Sequence, residues 1–442
     1  MGGDASTGAA LKHLFSSYLV VLFVCIPIAW GLQAAGASPT LHFVFNFGAI
    51  VPLSWLISEA TDNLEGIVGR TAGVLLNSTF GNMVEIILSV TAIRAGLVKV
   101  VQSSLLGAML MNLLFVTGCC FLVAGIRAHE QAFNPNAVSY ALGLLAVSML
   151  ALLVPSELAV TDEWSLPNDR LTMSRFVALL LGAMYIQWLI FNMCTHSALF
   201  ESNPNEKKMH KVAADDDGDA RDFHGHTTTV YTGAGYMSSQ SDDEDESDED
   251  EPKLPGWLAC SFLLFATVLV SFHCDWLVES IEPVTKQLGI HEAFVATVLL
   301  PMVGNFSEEI AALNLASKGK LDLAMGVAIG SATQIAMLVV PVVVFLGWYL
   351  GQPFDLDFEV LQCRLLLASL LVAALCLRDP EANWLKGSML VTAYIIISTA
   401  FWWMCDEEFH SAGAKRPFEE RLKEAAEVVI ENVTANLTAV GH

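Results

Sequence analysis

The sequence predicts an all-α polytopic membrane protein of eleven transmembrane helices, one followed by two inverted-topology five-helix repeats. Three observations predict it. The 442-residue chain is 54% hydrophobic and 15% charged, with mean hydropathy +0.54, where soluble domains run to ~25% charged. Apolar runs of spanning length recur along it, and a hydrocarbon core ~30 Å thick needs ~20 such residues as helix. Inside two of those runs the same polar string occurs, Gly81-Asn82-Met83-Val84-Glu85 and Gly304-Asn305-Phe306-Ser307-Glu308. A shift of 223 positions superimposes the two strings, and it also maps Gly96 onto Gly319 and Gly107 onto Gly330. Internal duplication in a polytopic chain is the mark of a secondary transporter.

The elements follow in order. Residues 1–13 are a short polar tail, and 14–36 are the first span, longer than the ~7–15-residue apolar region of a cleaved signal peptide. The first repeat, 40–195, holds Leu41–Ile57, Thr71–Ile93, Val101–Ile126, Ala137–Val154 and Leu171–Cys194. A charged turn, Glu59–Arg70, is expected after the first of these. Residues 201–255 carry 16 acidic against 5 basic side chains. They are expected to be a disordered acidic loop, because such a composition buries too little apolar surface to fold alone. The second repeat, 256–404, holds Gly256–Cys274, Ala293–Ala316, Leu321–Tyr349, Leu361–Leu377 and Trp384–Met404, with the acidic patch Asp355-Leu-Asp-Phe-Glu359 before the fourth. Residues 405–442 are a C-terminal tail. Five is odd, so the second copy must insert upside down relative to the first.

Net charge is −24, which argues against nucleic acid or anionic lipid as a partner of the chain as a whole. The nine cysteines are scattered with no Cys-x-x-Cys and read as small buried hydrophobes. Orientation is not decided by charge. With the N-terminus cytosolic, Lys12, Arg70, Arg127, Lys318, Lys320, Arg378 and Lys386 lie on one side. Arg94, Lys99, Arg170, Arg175, Lys286 and Arg364 lie on the other. The tail sequons Asn432-Val-Thr and Asn436-Leu-Thr, if used, place the tail in the lumen.

The duplicated string carries the chemistry. A charge at the bilayer centre costs at least ~2.5–3.5 kcal/mol, so buried acids there are functional by default. A helix-packing ion pair is the bland alternative, but no basic residue lies in the apolar spans near Glu85 or Glu308. The two are expected to face each other across the repeat interface, where two carboxylates suit one divalent cation with oxygen ligands. Asn82 and Asn305 each precede their Glu by three residues and share its helix face; interhelical glue is the alternative role. The Gly-Asn junctions, with Pro301 upstream in the second copy, are expected to interrupt the helices and free backbone carbonyls. Ser331 and Gln334 share a face of the following span, whereas the first copy has Ala108 and Met111 at the equivalent positions; Gln102 and Ser104 are candidates to compensate. Glu309 points ~100° away from Glu308 around the helix, as a third carboxylate or a gate; its equivalent is Ile86. Two close acids in low dielectric cannot both ionise cheaply without a cation, so protons and the cation compete for one site. That competition is antiport. Glu59 with Asp62, and Asp275 with Glu279, are expected to line vestibules or to cap interfacial turns. His273 is expected to be structural, and Lys318 and Lys320 to snorkel to the interface.

The strings "LLNSTFGNMVEIILSVTAIRAGLVKVVQSSLLGAMLMNLL" and "PMVGNFSEEIAALNLASKGKLDLAMGVAIGSATQIAMLVVPVVVFLGW" resemble the two signatures of the calcium/proton exchanger (CAX) family of the cation/Ca²⁺ exchanger superfamily. The resemblance covers about residues 40–405. It implies Ca²⁺/H⁺ exchange at Glu85 and Glu308, with accessory roles for Asn82, Asn305, Ser331 and Gln334. It also implies eleven spans, a central acidic stretch and residence in a vacuolar or other acidic-organelle membrane. The chain departs from the family pattern at Glu309, where a histidine is usual, and at Ala108 and Met111, where serines are common. These changes bear on ion selectivity, and hard oxygen ligands suit Ca²⁺ and Mn²⁺ alike. No cofactor is implied beyond the transported cation and H⁺. The partners are those ions and the lipid bilayer, with a homo-oligomer left open. A Na⁺-coupled Ca²⁺ exchanger of the same superfamily is the nearest rival. A cation channel would place its acids in rings across identical subunits. An enzyme is not indicated, since neither His-Glu-x-x-His nor a nucleophile with a base appears.

Overall fold

The computed structural model describes residues 18–68, 70–128, 130–161, 169–196 and 254–403. The expected polar tail 1–13, nearly all of the acidic loop, and the C-terminal tail with its sequons lie outside the described residues. The described residues are almost wholly helical. After a 3₁₀ stretch, Tyr18–Val24, they form α1 (Cys25–Ala35), α2 (Pro39–Val68), α3 (Arg70–Phe80), α4 (Met83–Arg94), α5 (Val98–Arg127), α6 (Pro135–Thr161) and α7 (Asp169–Thr195). The second half forms α8 (Gly256–Leu288), α9 (Glu292–Ser317), α10 (Leu321–Tyr349), α11 (Val360–Cys376) and α12 (Trp384–Trp402). Eight of these are long and apolar enough to cross a membrane, and nine if α3 and α4, bent by 42° at a short break, make one span. The first and tenth predicted spans are present as shorter apolar helices, so a count of eleven depends on including them.

α2 and α8 outlast the spans expected of them. At 30 and 33 residues they are ~45 and ~50 Å long. Glu59, Asp62 and Glu65 therefore ride on the last turns of α2, and Asp275 and Glu279 on α8; none of them sits in a turn. The expected turn Glu59–Arg70 does not form over Glu59–Val68, where the helix continues unbroken. α8 stops only at Gly289, whose φ of 64° is left-handed and open to glycine without steric cost. α2 and α8 pack against each other, and His273 Nδ1 hydrogen-bonds Asn46 Oδ1 at 2.7 Å between them, both residues fully buried. That is the structural role expected of His273.

The two halves carry matching backbone events. Gly96 and Gly319, 223 residues apart, turn the chain with φ of 81° and 80°. α5 loosens to a π-helix over Met111–Val116, and α10 does so over Ile335–Val339. The corresponding turns sit at opposite ends of the bundle. Next to the Gly96 turn, Lys99 Nζ donates to Asp357 O at 2.6 Å and Gln102 Nε2 to Asp355 O at 2.9 Å, while Arg170 ion-pairs with Asp355 and Asp357. Phe354, Leu356 and Phe358 of that loop are buried. At the other end, Gln131 Nε2 donates to Gly319 O at 2.6 Å, and the Asn134 backbone N–H donates to Asp322 Oδ1 at 2.6 Å. There two short strands, β1 (Gln131–Ala132) and β2 (Glu381–Ala382), pair antiparallel. α5, α9 and α10 are the most enclosed helices, and α7 and α12 are mostly outward. The outer faces show Phe176, Leu180, Phe265, Leu371 and Ile396, the apolar surface a bilayer covers.

Candidate cation site

Both duplicated strings lie in the enclosed centre, but on different backbones. In the first, the helix breaks at Gly81-Asn82, and Asn82 leaves helical geometry at φ −97°, ψ 19°. α4 then starts afresh, so Glu85 occupies its first turn, where free N–H groups and the helix dipole favour negative charge. In the second, α9 runs unbroken through Gly304 and Asn305. The expected interruption there is absent: the irregularity lies upstream, in a π-helical stretch at Val295–Leu299 ahead of Pro301. Glu308 is thus held mid-helix.

The strings cross. A Cβ placed on Gly304 would stand 2.4 Å from Glu85 Oε1, and one placed on Gly81 would stand 3.2 Å from Glu308 Oε1. Each carboxylate lies against the glycine of the opposite string, and the two acids are close enough to act on each other electrostatically. The amides reach across as well. Asn82 Nδ2 donates to Gln334 Oε1 at 3.0 Å, and also to its own helix at Ser78 O, 3.0 Å. Asn305 Nδ2 donates to Pro301 O at 3.1 Å, and its Oδ1 accepts from Asn112 Nδ2 at 3.2 Å and from Ser331 Oγ at 3.4 Å. Ser331 also lies beside Glu308. Glu85, Glu308, Asn82, Asn305, Ser331 and Gln334 are therefore brought together.

Asn112 was not singled out from the sequence. It stands one residue beyond Met111, in the π-helical stretch of α5, fully buried, and it also donates to Ser331 Oγ at 3.3 Å. It supplies the polar contact that Ala108 and Met111 cannot. The signal was an amide inside an otherwise apolar run. Gln102 and Ser104 do not compensate: Gln102 is engaged with Asp355, and Ser104 is half-buried with no hydrogen bond to either string among the described residues. Glu309 is buried and within electrostatic reach of Glu85 and Glu308, as well as of Cys119 of α5 and Tyr394 of α12. Asp62 of α2 is close enough to act on Glu308.

Three oxygens in this centre, Asn82 Oδ1, Glu85 Oε2 and Glu308 Oε2, are buried without a hydrogen-bond partner. Buried acceptors are normally satisfied, and a hard cation is the kind of partner that carboxylate and amide oxygens take. Among the described residues, no three His, Cys, Asp or Glu side chains gather into a metal cluster. The candidate donors are instead two carboxylates with amide and hydroxyl oxygens, fewer than the six to eight oxygens that calcium takes, the rest being for water or backbone carbonyls to supply.

The profile of the family described as sodium/calcium exchanger protein matches residues 38–194 and 258–403. This chain belongs to that family. It is 33% identical over 391 residues to the vacuolar cation/proton exchanger 3 of Oryza sativa subsp. japonica, covering 88% of this chain and 86% of the relative. It is 33% identical over 386 residues to the Ca²⁺/H⁺ antiporter of Synechocystis sp., covering 87% and 97%. Among solved structures, native YfkE superimposes with a TM-score of 0.68 at 25% identity, over 87% of this chain and 100% of YfkE. An H⁺/Ca²⁺ exchanger CAX shares the fold, with a TM-score of 0.59 at 15% identity over 94% and 98% of the two chains.

Proposed function

We propose that this exchanger family member is a secondary antiporter that moves Ca²⁺ against H⁺ across a vacuolar or similar acidic-organelle membrane. It is a transporter and not an enzyme. The observation that carries the reading is the crossing of two like strings whose side chains include three buried, unpartnered oxygens. Relatives bearing the names Ca²⁺/H⁺ antiporter and vacuolar cation/proton exchanger support the same ions and the same membrane. Glu85 and Glu308 bind the cation when ionised. Asn82 Oδ1 completes the first string's share, and Asn112, Gln334 and Ser331 hold the two amides in place. Protons and Ca²⁺ neutralise the same pair of acids, so either cargo lets the site pass through an occluded state, while the empty, doubly charged site does not.

Residues 40–195 and 256–404 act as the two inverted repeats, which rock around the crossing to expose it alternately to each side. The matching turns at opposite ends of the bundle support that relation. The test is Ca²⁺ uptake into sealed vesicles driven by an imposed pH gradient, without sodium or ATP. Uptake that collapses with a protonophore, with the apparent KM for Ca²⁺ rising as the loading side is acidified, is the expected result. Uptake that needs a sodium gradient would retain the fold and reject the coupling ion.

A further inference from the structure

We infer that Gly304 is a positioning residue, giving up the space of a side chain to the cation-binding carboxylate of the opposite repeat. The inference rests on Glu85 and Glu308 being cation ligands. At Gly304 the fit is close along the whole end of the side chain: a Cβ would meet Glu85 Oε1 at 2.4 Å, Cδ at 2.9 Å and Cγ at 3.4 Å. The nearest atoms there are all from Glu85, so what Gly304 admits is that one carboxylate. At Gly81 the limit is set by Asn77 instead: a Cβ would meet the Asn77 carbonyl oxygen at 2.7 Å, with Asn77 Oδ1 and Glu308 Oε1 both at 3.2 Å. Neither glycine has a left-handed φ, so backbone freedom is not what either position needs. Gly304 lies inside an unbroken helix, where glycine otherwise costs ~1 kcal/mol against alanine. The local structure would be better served by alanine, and the opposing carboxylate is what forbids it.

Other glycines of the same halves separate this role from packing. Gly330, on the next helix, has nothing within 4 Å of its Cβ position. Gly107 faces backbone: its Cβ would lie 2.0 Å from Thr297 O, an overlap that only movement of α5 from α9 relieves. The overlap at Gly304 is relieved by swinging one side chain away from the cation.

The experiment measures pH-driven Ca²⁺ uptake and folded yield in full-length Gly304→Ala, with Gly330→Ala and Gly107→Ala beside it. Gly304→Ala is expected to raise the KM for Ca²⁺ by about tenfold or more at near-normal folded yield, since a ~1 Å misplacement can cost ~100-fold. Gly330→Ala is expected to behave as wild type, and Gly107→Ala to lose folded protein. Glu85→Asp withdraws the carboxylate by one methylene, so adding Gly304→Ala to it should change KM by less than ~3-fold, the non-additivity of a contacting pair. A wild-type KM in Gly304→Ala, a yield loss like that of Gly107→Ala, or full additivity with Glu85→Asp would each overturn the inference. Glu85→Gln tells the two readings apart. If it still transports, the site assignment has failed; if it is inactive while Gly304→Ala is normal, only the positioning role has.

Discussion

The two Gly-Asn-x-x-Glu strings have the same key residues and different backbones. Around Glu85 the helix is cut, the amide of Asn82 sits in the gap, and the acid opens a new helix. Around Glu308 the helix is whole, and the acid's surroundings are side chains: Ser331, and Asn305 with its contacts to Asn112 and Ser331. One carboxylate is thus served by helix-terminal N–H groups and dipole, the other by hydroxyl and amide neighbours. A duplicated site need not be symmetric to work. Each half can solve the problem of holding a buried carboxylate in its own way, provided that both carboxylates arrive at the crossing.

The comparison is broken most completely by removing a charge from either half. Glu85→Gln and Glu308→Gln should each lower pH-driven Ca²⁺ uptake by ~100-fold or more, the scale on which loss of one buried charge partner is felt. Folded yield should stay near wild type, because the amide is isosteric. If one variant transports and the other does not, the two acids are not equivalent ligands and only the inactive one holds the cation.

The polar support of each half can be tested at smaller effect. Asn112→Leu removes the donor to Asn305 Oδ1 and Ser331 Oγ. Gln334→Leu removes the acceptor of Asn82 Nδ2. Each leaves a buried polar partner short of a bond, at ~1–3 kcal/mol, so a rise of about tenfold in KM for Ca²⁺ is expected from each. Equal effects would make the two amide contacts counterparts across the pseudo-symmetry, although they are one residue out of register in the alignment. An Asn112→Leu variant with wild-type KM would reduce that residue to packing.

That register offset marks where the sequence was legible. The spans, the duplication and both acids could be read from hydropathy and a constant shift, since buried charge in an apolar run has few innocent explanations. Asn112 escaped because a strict shift pairs it with Ile335, and the π-helical stretches that re-aim side chains leave no trace in composition. The break at Gly81 and its absence at Gly304 were also beyond reach. Both strings carry the same Gly-Asn, and the outcome depends on what packs behind: a π-helical stretch and Pro301 absorb the irregularity in α9 before it reaches Gly304. The ends of α2 and α8 were misplaced for a different reason. A charged residue inside a long helix does not end it, as Asp62 and Asp275 show.

The smallest expected effect lies where the halves differ outright, at Glu309 against its equivalent Ile86. Glu309 is next to Glu308 in sequence and also reaches Cys119 and Tyr394 electrostatically, and its Oε1 is among the buried oxygens without a partner. It adds a like charge to the surroundings of Glu308 and Glu85, and it has no counterpart in the first half. Glu309→Gln keeps the shape and removes that repulsion, so folding should be helped and cation binding hardly touched. The expected outcome is a KM for Ca²⁺ within ~3-fold of wild type and a thermal midpoint raised by a few degrees as a like-charge contact is relieved. A tenfold loss of Ca²⁺ affinity would place Glu309 among the ligands, and the second half would then carry two acids to the first half's one.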